Sequence, residues 1–416
     1  MNNSSGQASA CRFCGSAVLH TFTDLGVSPP CEAILAADQL DQAEAFFPLR
    51  VLVCEECFLV QLKEYISPAD IFTEYAYFSS YSDSWLAHAR RYVDMVTDRF
   101  KLNPQSLVVE LASNDGYLLQ YFVQRGIPVL GIEPAANVAR DAQLRGVRTR
   151  VDFFGLEVAQ QLVEAGSQAD LIVANNVLAH VPDLRSFVAG IETLLKPNGV
   201  VTIEFPHLMR LMEGIQFDTI YHEHFSYFSF LTAVRILDGF GLTVFDVEEL
   251  PTHGGSLRVY ARHREAPAPA VSEKVRELAS REEAAGFLRL ETYLSFDEEV
   301  KAAKRRILAF LIDAKRAGKT VVGYGAPGKG NTLLNYCGVR TDFLDYTVDR
   351  NPYKHGKFLP GTHIPVYAPE RIAQTRPDYI LILPWNLKDE IRQQLAYVRE
   401  WGGRLVVPIP EVEILD

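Results

Sequence analysis

The chain has 416 residues, enough for two or three domains with sizeable cores. Its 41 basic and 52 acidic residues give a net charge of -11, which argues against a general binder of nucleic acid or membrane surfaces. With 48% hydrophobic and 22% charged residues it is not a disordered chain, and no apolar run approaches the roughly 20 residues of a membrane-spanning helix. The opening MNNSSGQASA lacks the basic and apolar regions of a secretion signal, so the expected location is cytoplasmic.

Residues 1 to about 70 form a short cysteine-bearing segment with strand-like runs at 49–52 and 58–62. Cys11-Arg-Phe-Cys14-Gly15 and Cys54-Glu-Glu-Cys57 each fit a tight turn whose amides face a metal. Four thiolates complete tetrahedral zinc and leave no open position, so the predicted ion is structural. Gly15 suits the positive φ that such a turn needs. The competing reading is two reduced pairs or a redox dithiol. Cys31, after Pro29-Pro30, reads as a small buried residue, as does Cys337.

From about Tyr75, apolar runs alternate with helical periods: LVVEL (107–111), VLGIE (129–133), DLIVAN (170–175) and VVTIEF (200–205). This alternation predicts βαβ units and a mostly parallel sheet. Glu110-Leu-Ala-Ser-Asn-Asp-Gly116 closes the first strand and opens a helix, where such sheets bind a nucleoside beyond the strand ends. Ala112 and Asn114 stand where glycines are usual and only Gly116 remains, which disfavours a dinucleotide there. Glu133 ends the second strand, where an acid can accept both ribose hydroxyls. Asp152-Phe153 follows a third run, where a carboxylate can receive an adenine amino group. Asn175-Asn176 ends the fourth strand, Leu178-Ala-His180-Val-Pro-Asp183 follows, and Leu194-Leu-Lys-Pro-Asn-Gly199 introduces the fifth. His180 reads either as a ligand contact or as a histidine packed at a helix start.

Together these residues resemble class I S-adenosylmethionine-dependent methyltransferases. The family's acidic-x-Gly-x-Gly-x-Gly stands here as Glu110-x-Ala112-x-Asn114-x-Gly116, and the acidic second strand, the Asn-Asn-Val-Leu-x-His-Val turn and the Leu-Lys-Pro-x-Gly entry match. The resemblance implies S-adenosylmethionine held by Glu110, Ala112, Asn114, Gly116, Glu133, Asp152, Phe153, Asn175 and Asn176.

The densest polar and aromatic cluster runs from Phe217 to Phe228 and contains Tyr221-His222-Glu223-His224, just after the fifth strand. His-x-His with a glutamate lacks a third partner for good metal geometry, and a packed aromatic loop is the plain alternative. Acid–base chemistry is favoured, because histidine titrates near working pH while tyrosine and glutamate polarise or orient. EAPAPA (265–270) reads as a linker, and a charged helical stretch from Ser272 to about Lys319 has breaks near Gly286 and Ser295. A second α/β series follows at TVVGYGA (320–326), YTVDR (346–350), YILILP (379–384) and RLVVPIP (404–410). Gly323-Tyr324-Gly325-Ala-Pro-Gly328-Lys329-Gly330-Asn331 sits between strand and helix as a phosphate cradle does, and Asp349 ends the next strand. Read alone, that is a dinucleotide fingerprint, so an NAD-linked sugar oxidoreductase is the rival; Lys329 suits a diphosphate terminus. His355-Gly-Lys357 and Pro384-Trp385-Asn386 are further pocket candidates.

With the Thr252-His253-Gly-Gly-Ser-Leu-Arg258 segment added, essentially the whole chain resembles the nucleotide-sugar C-methyltransferases of deoxysugar biosynthesis. It looks closest to those that methylate C-3 of dTDP-3-amino-4-keto sugars on routes to antibiotics. The resemblance implies an α/β protein of three parts: a zinc-binding module (1–70), a Rossmann-like methyltransferase domain (71–264) and a second Rossmann-like domain (265–416) that holds the dTDP-sugar. His180, His253, Tyr324, Gly325, Lys329, Asn331 and Asp349 are the implied substrate-binding residues. No nucleic acid or membrane is expected as partner; the oligomeric state stays open, and a monomer is compatible. A C–H bond is not nucleophilic, so a proton alpha to the ketone must leave first. His224 is the expected base with Tyr221 and Glu223 beside it, and Tyr221 ranks second because a phenol ordinarily titrates near 10.

Overall fold

The computed structural model describes residues 10–67, 79–81 and 83–415; the boundary expected near residue 70 lies outside them. Two compact units interleave along the chain. Met1–Leu19, Cys54–Leu208 and Phe225–Leu288 make the first, and His20–Val53, Met209–His224 and Arg289–Asp416 make the second.

The first unit is built on seven strands: β1 (Val108–Leu111), β2 (Val129–Ile132), β3 (Thr149–Arg150), β4 (Ala169–Asn175), β5 (Leu195–Pro206), β6 (Leu242–Leu250) and β7 (Ser256–His263). Their order is β6-β7-β5-β4-β1-β2-β3. The first five run parallel, while β7 is antiparallel to both β5 and β6. Strands covered on both faces must be apolar throughout, and β1 and β2 are fully buried. Alternate residues feed two cores. Val109, Ile132, Ile172 and Ile203 pack with the helices Leu156–Glu164, Leu184–Leu194 and Phe230–Gly239. Val108, Val129, Leu171 and Val200 pack with the helix Asp83–Phe100 on the other side. Asp183 accepts from the Ser186 amide at 3.0 Å and so caps the helix that follows Asn175-Asn176.

This unit continues past the expected linker. Ser272 donates to Asp246 at 2.7 Å, and Glu282 is fully buried, accepting from the Phe230 and Leu231 amides and pairing with His207 at 2.6 Å. A buried carboxylate needs such partners, which ties Ser272 and the helix carrying Glu282 to the first unit. The helical breaks fall as expected, giving Glu273–Ala284, Leu290–Leu294 and Phe296–Arg316.

The second unit has β8 (Val321–Tyr324), β9 (Thr347–Val348), β10 (Val366–Tyr367), β11 (Tyr379–Ile382), β12 (Arg404–Val407) and β13 (Glu413–Leu415), in the order β10-β9-β8-β11-β12-β13. All are parallel except β13. The order reverses beside β8, and in doubly wound sheets that is where ligands bind. No helix among the described residues is long and apolar enough to cross a membrane.

Candidate active site and metal centre

Cys11, Cys14, Cys54 and Cys57 converge, with all four sulfurs within 4.8 Å of one another. The Cys11–Cys57 and Cys14–Cys54 separations are 3.5 Å. Zinc–sulfur bonds of about 2.3 Å at tetrahedral angles put sulfurs roughly 3.8 Å apart, so the cluster fits zinc. Both turns have the geometry that the spacing demands. The residue after each second cysteine has positive φ, 78° at Gly15 and 59° at Phe58, and its amide N–H closes the turn with a hydrogen bond to the first cysteine carbonyl. Only Gly15 was legible as such a residue, because a phenylalanine carries no signal for that conformation. Cys11, Cys54 and Cys57 also belong to the apolar core of the first unit, so an ion there staples the module to the sheet.

At the C-terminal ends of β1, β2 and β4, the loop that lacks two glycines keeps the glycine conformation. Ala112, Asn114 and Gly116 have φ of 55°, 48° and 75°. Asparagine visits this region readily, and alanine does so at a cost of roughly 1 kcal/mol. A Cβ on Gly116 would lie 3.0 Å from Val147, so no side chain fits there without movement. Glu133 is buried, and its two oxygens accept from the Asn114 and Ala135 amides at 2.9 Å each. Burial raises the pKa of Glu133, against the pull of those amides. Burial also raises Glu110, helped by the nearby Glu133 and Asp115 charges and opposed by Tyr117. Glu110 Oε2, Ser113 Oγ, Asp115 Oδ1, Asn175 Oδ1 and both polar side-chain atoms of Asn176 are buried without a hydrogen-bond partner among the described residues. Unsatisfied polar atoms gathered at one sheet edge suit a polar ligand, and S-adenosylmethionine, with ribose, adenine and amino-acid groups, fits this donor and acceptor set. Asp152 is half-buried and paired with Arg150 at 2.7 Å, and the Phe153 ring is exposed.

Sequence reasoning missed a charge network beside this edge. Glu204 on β5 accepts from Arg258 at 2.6 Å, His88 at 3.1 Å and Thr252 at 3.1 Å. Burial pushes its carboxyl up, but His88 and Arg258 outweigh burial and hold it low. His253, with φ of 54°, sets its ring centroid 5.4 Å from that of Trp85 in an edge-to-face arrangement, and Trp85 stacks on His88. His180 ends a short turn after Asn176, and the adjacent Ala179 carbonyl accepts from the Phe225 amide at 2.7 Å.

In the second unit, the Tyr221 and His224 rings lie 4.0 Å apart. His224 Nδ1 lies 2.9 Å from the Thr219 carbonyl. A carbonyl only accepts, so Nδ1 carries a proton, and in the neutral imidazole the lone pair is then on Nε2. His222 points elsewhere, donating from Nε2 to the Pro48 carbonyl at 3.3 Å; burial lowers its pKa. Glu223 is raised to about 7, first by burial and then by Glu32, against a hydrogen bond from Cys31. Cys31 is buried, as its context suggested, but its contact with Glu223 was not legible.

At the ends of β8 and β9, Tyr324, Arg350, His355 and Tyr397 are among the residues lining a cavity of about 780 Å³. Gly325 has φ of 89°, and a Cβ there would lie 2.6 Å from Pro384. Asp349 accepts from the Ala326 amide at 2.6 Å and the Asn351 amide at 2.7 Å, shaping the loop. Asn331 donates to the Cys31 carbonyl, and its Oδ1 has no partner among the described residues. Lys329 is half-buried, donates to Asn386 at 2.8 Å and lies 4.8 Å above the Trp385 ring.

The fold and these sites define a class: a methyltransferase-type sheet with a four-cysteine zinc centre and a second α/β unit. Comparisons agree. Family models match as a zinc binding domain at 11–72, a methyltransferase domain at 85–247 and a C-methyltransferase C-terminal domain at 251–410. The C-methyltransferase NovU of Streptomyces niveus is 37% identical over 98% of this chain and 96% of its own length. A ubiquinone biosynthesis O-methyltransferase of Leptothrix cholodnii is 31% identical over 23% of this chain and 41% of its own. Among solved structures, a magnesium protoporphyrin IX methyltransferase of Synechocystis is 15% identical, with a TM-score of 0.34 over 42% of this chain and 81% of its own. The chain belongs to the S-adenosylmethionine-dependent C-methyltransferases that carry an N-terminal zinc-binding domain. It is therefore a methyl-transferring enzyme that uses S-adenosylmethionine and a structural zinc, and the oxidoreductase reading gives way.

Proposed function

We propose that the acceptor is the C-3 carbon of a dTDP-3-amino-4-keto deoxysugar, in the making of a branched antibiotic sugar. The sugar nucleotide is assigned to the second unit. The loop at 323–331, with Lys329 and Asn331, meets the diphosphate, and Tyr324, Gly325 and Asp349 shape the adjoining edge. The donor is assigned to the edge formed by Glu110, Asn114, Gly116, Glu133 and Asn175-Asn176, where it supplies an electrophilic methyl group.

The observation that carries the reading is the tautomer of His224. Its Nδ1–H is donated to the Thr219 carbonyl, so in the neutral ring Nε2 is the nitrogen whose lone pair takes the proton alpha to the ketone. The C–H electrons become the enolate, whose carbon would take the sulfonium methyl as the S–CH3 bond breaks with its electron pair kept on sulfur, and the proton on Nε2 passes to solvent. Tyr221, in ring contact with His224, positions the sugar or donates to the developing oxyanion. Glu223, near neutrality in its affinity for protons, is suited to share one with the substrate. Hydrogen–deuterium exchange at the sugar carbon without methyl donor isolates deprotonation. Wild type exchanges, and His224→Asn loses about 10²–10⁴-fold in exchange and turnover while binding both ligands. Full turnover in that variant, with Tyr221→Phe inactive, reassigns the base.

A further inference from the structure

Asp218 lies in the short turn Phe217–Thr219, three residues before Tyr221, and is fully buried. Its Oδ2 accepts from Trp385 Nε1 at 2.7 Å, while Oδ1 has no hydrogen-bond partner among the described residues. The Lys329 ammonium is within electrostatic reach, and the two charges favour each other's ionised forms. Lys329 is itself fixed by Asn386 and by the Trp385 ring. A buried carboxylate is costly unless hydrogen-bond donors and an opposite charge face it; besides Trp385 and Lys329, the backbone of Asp218 and Thr219 favours the ionised form. Asp218, Lys329 and Trp385 therefore lock together, and the main chain of the turn is locked with them.

The other side of that turn faces the base. Thr219 closes the turn through its amide and hydroxyl to the Gln216 carbonyl, at 3.1 and 2.8 Å. Its own carbonyl is the group that receives Nδ1–H of His224. Side chain and carbonyl of adjacent residues are thus anchored to different partners, and moving one moves the other. We infer that Asp218 is a positioning residue for His224: with Trp385 and Lys329 it holds the Thr219 carbonyl where it receives Nδ1–H and orients the imidazole. The inference rests on the reading of His224 as the base for its catalytic consequence, but not for its structural one.

The test uses the full chain labelled with ¹⁵N-histidine, with the His224 signals assigned from His224→Asn. Long-range ¹H–¹⁵N correlation reads which ring nitrogen carries the proton. Wild type shows the Nδ1–H form. Asp218→Asn loses that single form, and its kcat falls about 10²-fold, the scale of a catalytic group displaced by about 1 Å. Trp385→Phe removes the donor to Asp218 but keeps a ring beneath Lys329, and it shows the same change in smaller measure. It decides the matter if Asp218→Asn does not fold by circular dichroism. A retained Nδ1–H form with wild-type kcat in a folded variant overturns the inference. If His224→Asn still exchanges the sugar proton, the base assignment fails, and the tautomer readout still judges whether Asp218 positions the ring.

Discussion

Replacing Glu133 with glutamine is the sharpest test of the donor site. In the native pocket its two oxygens each accept a backbone amide at 2.9 Å, from Asn114 and Ala135, and both retain a lone pair for ligand hydroxyls. Glutamine keeps one oxygen and turns the other position into an NH₂ group that faces an amide donor. One backbone bond and one ligand bond are lost together, and the remaining ligand bond loses its charge. A charge-assisted hydrogen bond is worth roughly 1.5–3 kcal/mol, and 1.4 kcal/mol is a factor of ten in Kd, so S-adenosylmethionine should bind about 10- to 100-fold more weakly. Calorimetry with S-adenosylmethionine and with its demethylated product reads this directly. Both ligands should weaken alike, because each carries the ribose. Unchanged affinity in a folded Glu133→Gln protein, or a loss confined to the methylated form, would refute the assignment of Glu133 to the ribose.

Cys54→Ser should lose most bound zinc by metal analysis and melt earlier, since it removes one of four ligands from a cluster set in the core; full occupancy with an unchanged melting curve would sink the metal assignment. Gly116→Ala puts a Cβ 3.0 Å from Val147 at φ of 75°, and denaturant titration should show a loss of about 1–2 kcal/mol. Burial raises Asp218 from 3.8 to about 6, so the native state holds its proton more tightly than the unfolded chain does. Its contribution to stability therefore falls as pH rises from about 4 to 6, by roughly 3 kcal/mol at 1.4 kcal/mol per unit, and Asp218→Asn should remove that fall in melts at the two ends of this window. An identical pH response in both proteins would show that ionising Asp218 costs nothing in the fold.

Local chemistry made much of this protein legible in its sequence. Two C-x-x-C turns need no partner to declare a metal, since each presents two thiolates by its own geometry. The alternation of apolar runs and helical periods declared both parallel sheets, because buried parallel strands must be apolar on both faces. Glu110, Glu133 and Asn175-Asn176 were placed by where their strands end. The tertiary structure alone decided what depends on long-range contact. The stretches 20–53 and 209–224 join the compact unit that follows residue 288, which no local pattern announces. The helix Glu273–Ala284 packs with the first unit because Glu282 is buried against His207 and two helix-start amides. Ala112 and Phe58 adopt positive φ because packing and metal geometry override the preference of their side chains. The protonation of His224 depends on a carbonyl five residues earlier, and the burial of Asp218 on a tryptophan and a lysine far along the chain. Sequence fixes which groups are present, but the direction of a hydrogen bond and the loss of water around a charge exist only once distant segments have packed.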